Sequence, residues 1–117
     1  MKDRDPGNLS VAMSADNVST PAVNTAAVIT YPAVANQATI IGKIIYSYSG
    51  NPAGGNLTIT EDGATVFSLD IFGPGEKPLD LGPLRAATGA AVVITLAAGG
   101  TNITGKLNVP YVWGEAR

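Results

Sequence analysis

NLTITEDGATVFSLDIF, residues 56–72, is the stretch from which the rest of the chain can be read. Leu57 and Ile59 alternate with Thr58 and Thr60, Asp62-Gly63 interrupts, and then Phe67, Leu69 and Ile71 alternate with Ser68 and Asp70. Alternation with a period of two gives a pleated strand one dry face and one wet face. Asp-Gly between two such runs predicts a two-residue type I′ turn, which needs positive φ at both central positions. Asp tolerates that conformation, and Gly has no Cβ to clash. A hairpin alone cannot keep its apolar face dry, so other strands must cover it.

Those strands are legible on both sides. Upstream, Thr25 to Tyr31 (TAAVITY) reads as a strand ended by Pro32. Ala38 to Ser49 (ATIIGKIIYSYS) is the longest candidate, with Ile40, Ile44, Tyr46 and Tyr48 on one face and Ile41, Lys43, Ile45 and Ser47 on the other. Isoleucines on both faces predict a strand covered on both sides at one end. Residues 50–55, GNPAGG, form a loop. Downstream, GPGEKP at residues 73–78 ends the hairpin, and Pro78 and Pro83 flank Leu79 and Leu81 in an edge strand or extended linker. Ala90 to Ala97 (AAVVITLA) reads as a buried strand, and Ile103 to Val112 as a last one with Gly105, Leu107, Val109 and Tyr111 sharing a face. Only Leu84 to Ala87 suits a turn of helix.

About six to eight short strands with Gly- or Pro-bearing connections predict an all-β chain, an antiparallel β-sandwich of jelly-roll-like type. Residues 1–23 lack sustained periodicity and read as an irregular N-terminal arm, leaving 24–117 for the sandwich domain. Leu9, Val11, Met13 and Val18 are more apolar than a spacer requires, so an arm that orders against a neighbouring subunit is one reading and a disordered leader the other.

Composition narrows the chemistry. A chain of 117 residues suits one domain. The absence of Cys removes disulfides and thiolate metal sites, and the absence of His removes the usual neutral-pH proton shuttle. A net charge of -2 gives no basis for binding a phosphate backbone, so no nucleic-acid partner is expected. No run reaches the roughly 18 apolar residues of a membrane span, and MKDRDPGNLSV is followed by no hydrophobic region of signal-peptide length. The sequons at Asn8, Asn17, Asn56 and Asn102 are therefore read as chance. Charged residues make up 14% of the chain, against about 25% in an ordinary soluble domain, which points to surface covered by neighbouring copies or another protein.

Candidate reactive groups are few. Two carboxylates across a cleft would suit glycoside hydrolysis, and Asp70 with Asp80 can be nominated. However, Asp70 falls on the wet face of a strand, Asp62 in the turn, and Glu76 and Asp80 in a loop, so no catalytic residue is assigned. Glu76, Asp80 and nearby carbonyls lack the spacing of a calcium loop, and GPG at residues 73–75 lacks the partners of a phosphate loop, so no metal or cofactor is assigned either. Of the aromatic residues available for a sugar platform (Tyr46, Tyr48, Tyr111 and Trp113), the tyrosines are expected in core or subunit packing. Trp113 is the one expected to meet a partner.

The segments IIYSYSGNPAGGNLTITEDGATVFSLDIFGPG and AAVVITLAAGGTNITGKLNV resemble small, cysteine-free accessory virion proteins of tailed bacteriophages, of the head-decoration or cement type. The resemblance implies a jelly-roll-like sandwich that binds the outer surface of the phage head and stabilises it by burying area between major capsid subunits. It also implies a homo-oligomer, trimer or dimer, made in the host cytoplasm and placed on the capsid exterior. The expected contact residues are Leu9, Val11, Met13 and Val18 in the arm and Tyr111 and Trp113 near the C-terminus. The alternative is a glycan- or receptor-binding module of a virion spike or fibre, acting through Tyr48, Tyr111 or Trp113; an enzyme using Asp70 and Asp80, or an unrelated soluble domain, is the third reading.

Overall fold

The computed structural model describes residues 17–116. Among them are eight strands: β1 (Val18–Ser19), β2 (Ala27–Tyr31), β3 (Gln37–Tyr48), β4 (Gly55–Glu61), β5 (Ala64–Ile71), β6 (Gly75–Arg85), β7 (Val92–Leu96) and β8 (Gly105–Ala116). They form two four-stranded sheets, a front sheet ordered β1-β8-β3-β6 and a back sheet ordered β2-β7-β4-β5. Every pairing is antiparallel. The chain changes sheet at each connection except the β4–β5 hairpin, and this order is that of the double-sheet jelly roll.

The hairpin closes as its residues predict. Asp62 and Gly63 have φ of 50° and 88°. The Asp62 amide donates to the Ala91 carbonyl oxygen, and Asp62 Oδ1 accepts the Ala91 N–H, both at 2.9 Å. The turn is thereby tied to the approach of β7. Register then aligns apolar rows across the back sheet: Ile29, Ile94, Ile59 and Phe67 in one, Ala27, Leu96, Leu57 and Leu69 in the next. Leu57, Ile59, Ile94 and Leu96 are completely buried, each favouring the fold by about 1.5–3 kcal/mol. The wet face carries Ser68, Thr58 and Thr95 side by side.

The front sheet answers with Ile41, Ile44, Tyr46 and Tyr48 from β3 and Leu107, Val109 and Val112 from β8. Two tyrosine hydroxyls reach across the sandwich. Tyr48 donates to the Ala97 carbonyl oxygen at 2.6 Å, and Tyr31 donates to Asn17 Oδ1 at 2.9 Å. Among the described residues no buried side-chain nitrogen or oxygen lacks a partner, as a dry interior requires.

Several local expectations need correction. Ile41 does not lie on the face opposite Ile44, Tyr46 and Tyr48 but joins them in the core, and Tyr111 does not share a face with Leu107 and Val109. Both departures come from bulges, described below. Leu84 and Arg85 end β6 and form no helical turn; the Ala86 amide donates to the Thr39 carbonyl oxygen instead. Residues 78–83 belong to an edge strand, the first of the two expectations for that segment. Within the expected arm, Leu9, Val11 and Met13 lie outside the described residues. Val18 and Ser19 pair with Asn108 and Leu107 of the same chain.

Candidate functional site

The front sheet is irregular at one level across three neighbouring strands. From the pair Ile41↔Val112 to Lys43↔Tyr111, β3 advances two residues and β8 only one; from Lys43↔Tyr111 to Ile45↔Asn108, β8 advances three. On the other side, Ile41↔Leu84 is followed by Lys43↔Asp80, so Leu81, Gly82 and Pro83 of β6 stand against Gly42 alone. A bulge breaks the in-out alternation and re-aims the side chains beyond it. Ile41 and Ile44 therefore both face the core although three residues apart, and Val109 and Val112 do the same.

The residues displaced outward make a groove. Gly42, Lys43, Asp80, Gly82, Pro83, Tyr111 and Trp113 line an open depression of about 550 Å³ on the outer face of the front sheet. Tyr111 is 47% exposed, and Trp113 is half-buried. Gly42 forms the floor: a Cβ there would lie 3.3 Å from Tyr111 Cβ and 3.5 Å from Trp113 Cζ3. A Cβ at residue 42 would thus crowd Tyr111 and touch Trp113 at ordinary contact distance. Lys43 sits between its cross-strand neighbours Asp80 and Tyr111. The sole ion pair among the described residues joins Arg85 Nε to Glu115 Oε1 at 3.0 Å, so the Lys43 ammonium has no carboxylate partner there. Asp80 Oδ1 accepts the Gly82 N–H at 3.1 Å.

The arrangement combines two aromatic surfaces with one ammonium donor and one carboxylate acceptor in an open groove. A sugar ring has matching features: an apolar C–H face that lies on an aromatic ring and a rim of hydroxyls that both donate and accept.

The expected site residues divide. Tyr111 and Trp113 are brought together; Val18 stands in β1, opposite Asn108, and does not line the groove. Tyr48 is excluded as a ligand platform, because it is buried to 2% exposure with its hydroxyl committed to Ala97. Tyr46 is in the core as expected. Asp70 and Asp80 do not flank a common cleft: Asp70 is on the wet face of β5, within 3.1 Å of Asn56 Nδ2, and Asp80 is on the opposite sheet's outer face. No group of three or more acidic, His or Cys residues able to hold a metal occurs among the described residues. Lys43, Gly42 and the Gly82-Pro83 step were missed as site residues. Their signal was a Gly inside a strand pattern and a Pro in its neighbour, both marks of a bulge.

A second depression of about 350 Å³, lined by Ser47, Tyr48, Ser49, Thr104 and Lys106, lies toward the other end of the sheet. It offers hydroxyls and one ammonium but no exposed aromatic face.

No protein-family model matches this chain, and no curated protein matches it. Solved structures similar in shape include a carbohydrate-binding module, CBM36, in complex with calcium and xylotriose: 13% identity over 91% of this chain and 94% of that one, TM-score 0.44. A native family 35 carbohydrate-binding module from Clostridium thermocellum is similar at 18% identity over 86% of this chain and 89% of that one, TM-score 0.44. A CBM4 structure is similar at 12% identity over 84% of this chain and 70% of that one, TM-score 0.45. What those modules bind is a property of those modules.

Proposed function

We propose that this chain is a non-catalytic binding module that recognises a glycan through the groove on its front sheet. The observation that carries the reading is the bulge shared by β3, β6 and β8, which sets Tyr111 and Trp113 over Gly42 with Lys43 and Asp80 beside them. Binding rests on stacking of a sugar ring against the aromatic side chains, with Lys43 donating to ring hydroxyls and Asp80 accepting from them. The setting of this reading is a virion spike or fibre that meets a host surface, the alternative to the head-decoration role that the resemblance implies. The test is a glycan array followed by titration calorimetry. Tyr111→Ala and Trp113→Ala should each weaken binding at least tenfold, about 1.4 kcal/mol, with the far-UV circular dichroism unchanged. An array without a hit, or a hit indifferent to both substitutions, sinks the reading.

A second reading is a decoration subunit that binds the major capsid protein on a phage head. It is favoured by the charge content of 14%, low for a surface left wholly to solvent. Saturable, stoichiometric binding to capsids lacking the protein, with greater heat resistance of the particles, is the expected result. Failure to bind such capsids rules it out.

A further inference from the structure

We infer that a second copy of this chain pairs along β5, antiparallel and centred on Leu69, joining two back sheets into one. An unpaired sheet edge presents free N–H and C=O groups, and proteins blunt such edges with charge, proline, bulges or short length. Three of the four edges here are blunted. β1 has only two residues. β2 has five, and its Val28 amide donates to Ser19 Oγ at 3.3 Å. β6 carries Glu76, Lys77, Asp80, two prolines and the bulge at residues 81–83.

β5 is blunted least: its one irregularity lies at its start, and from Phe67 to Ile71 it pairs with β4 in unbroken register. It runs eight residues with Asp70 as its one charge, and no described strand pairs with its outer edge. An irregularity between the pairs Ile59↔Phe67 and Thr60↔Thr65 leaves Val66 unpaired at its start. Exposed apolar side chains gather along it: Val66 is 44% exposed, and Phe72, the next residue after the strand, is 83% exposed. Phe67 and Leu69 are only half-buried at the same margin of the core.

Self-complementarity identifies the occupant as another copy. Two antiparallel β5 strands centred on Leu69 set Ser68 opposite the partner's Asp70, Phe67 opposite the partner's Ile71, and Val66 opposite the partner's Phe72. Each pair occurs twice, and opposite residues point to the same side of the sheet. The exposed Val66 and Phe72 thereby cover one another, and a hydroxyl meets each carboxylate. Centring on Asp70 would oppose two carboxylates, and centring on Phe67 or Ser68 leaves Phe72 without Val66. Such a contact is isologous and closes as a dimer. The groove of the front sheet is left open.

Sedimentation of the full chain gives the first test: twice the mass of one chain for the wild type, and one chain mass for Phe72→Lys at a concentration where the wild type is dimeric. Phe72 is 83% exposed in the single chain, so the variant should keep the melting temperature that the wild type shows when diluted to monomer. Single cysteines in this cysteine-free chain give the second. Opposed residues have Cα atoms about 4.5–5.5 Å apart, within the span of a disulfide. A mixture of Ser68→Cys and Asp70→Cys chains should cross-link on mild oxidation at least tenfold faster than either variant alone. A monomeric wild type, or cross-linking of Ser68→Cys alone as fast as the mixture, overturns the inference.

Discussion

The hydroxyl of Tyr48 donates to the Ala97 carbonyl oxygen at 2.6 Å across the sandwich, so a side chain that could have been read as a ligand platform is a tie between the sheets. Burial raises its phenol above the ordinary value of 10.0, and a backbone hydrogen bond at Asn56 pulls weakly the other way. The unfolded chain therefore loses this proton at lower pH than the folded one does. Above pH of about 10 the unfolded state binds fewer protons, and stability must fall as pH rises toward the folded value. Tyr48→Phe should be less stable than the wild type by about 1 kcal/mol near neutral pH, and that gap should narrow with rising pH. Urea midpoints for both chains from neutral pH to above 10 check it; a gap constant across the series excludes Tyr48 as the source. Gly42 acts at the same scale by leaving room, because a Cβ there would press on Tyr111 at 3.3 Å.

At the scale of elements, the β4–β5 hairpin rests on two residues. Gly63 has φ of 88° with open space around its missing Cβ, so Gly63→Ala should cost about 1 kcal/mol through backbone conformation alone. Asp62→Ala should cost a similar amount and also speed amide hydrogen exchange at Ala91, whose N–H loses its carboxylate acceptor. Equal exchange at Ala91 in both variants would show that the side-chain bond does not hold the turn to β7. This hairpin was legible because its turn chemistry and its alternation agree: Leu57 and Ile59 are inside, and Thr58 and Thr60 lie on the wet side. The groove was not. Alternation on either side of a bulge reads as one uninterrupted run, and that run puts Ile41 and Tyr111 each on the wrong face. The isoleucine doublet before Gly42 and the Val109-Pro110 step carried the trace of the shift. Which strands bulge together depends on which strands are neighbours, and β3, β6 and β8 become neighbours only when the sheet forms.

For the whole molecule, the jelly-roll order separates two kinds of surface: a groove on the outer face of the front sheet and a bare edge on the back sheet. The same order has a bearing on how the chain comes to exist. β8 lies between β1 and β3, and through it Val18 is joined to Asn108 and Ile41 to Val112. Removing residues 105–117 should therefore abolish cooperative thermal unfolding rather than merely lower Tm; a sharp melting transition in the shortened chain would contradict this. During synthesis the front sheet has a gap at its centre until β8 leaves the ribosome. Until then the isoleucines and tyrosines of β3 have no wall on that side, so this is the interval in which a chaperone has the most apolar surface to hold.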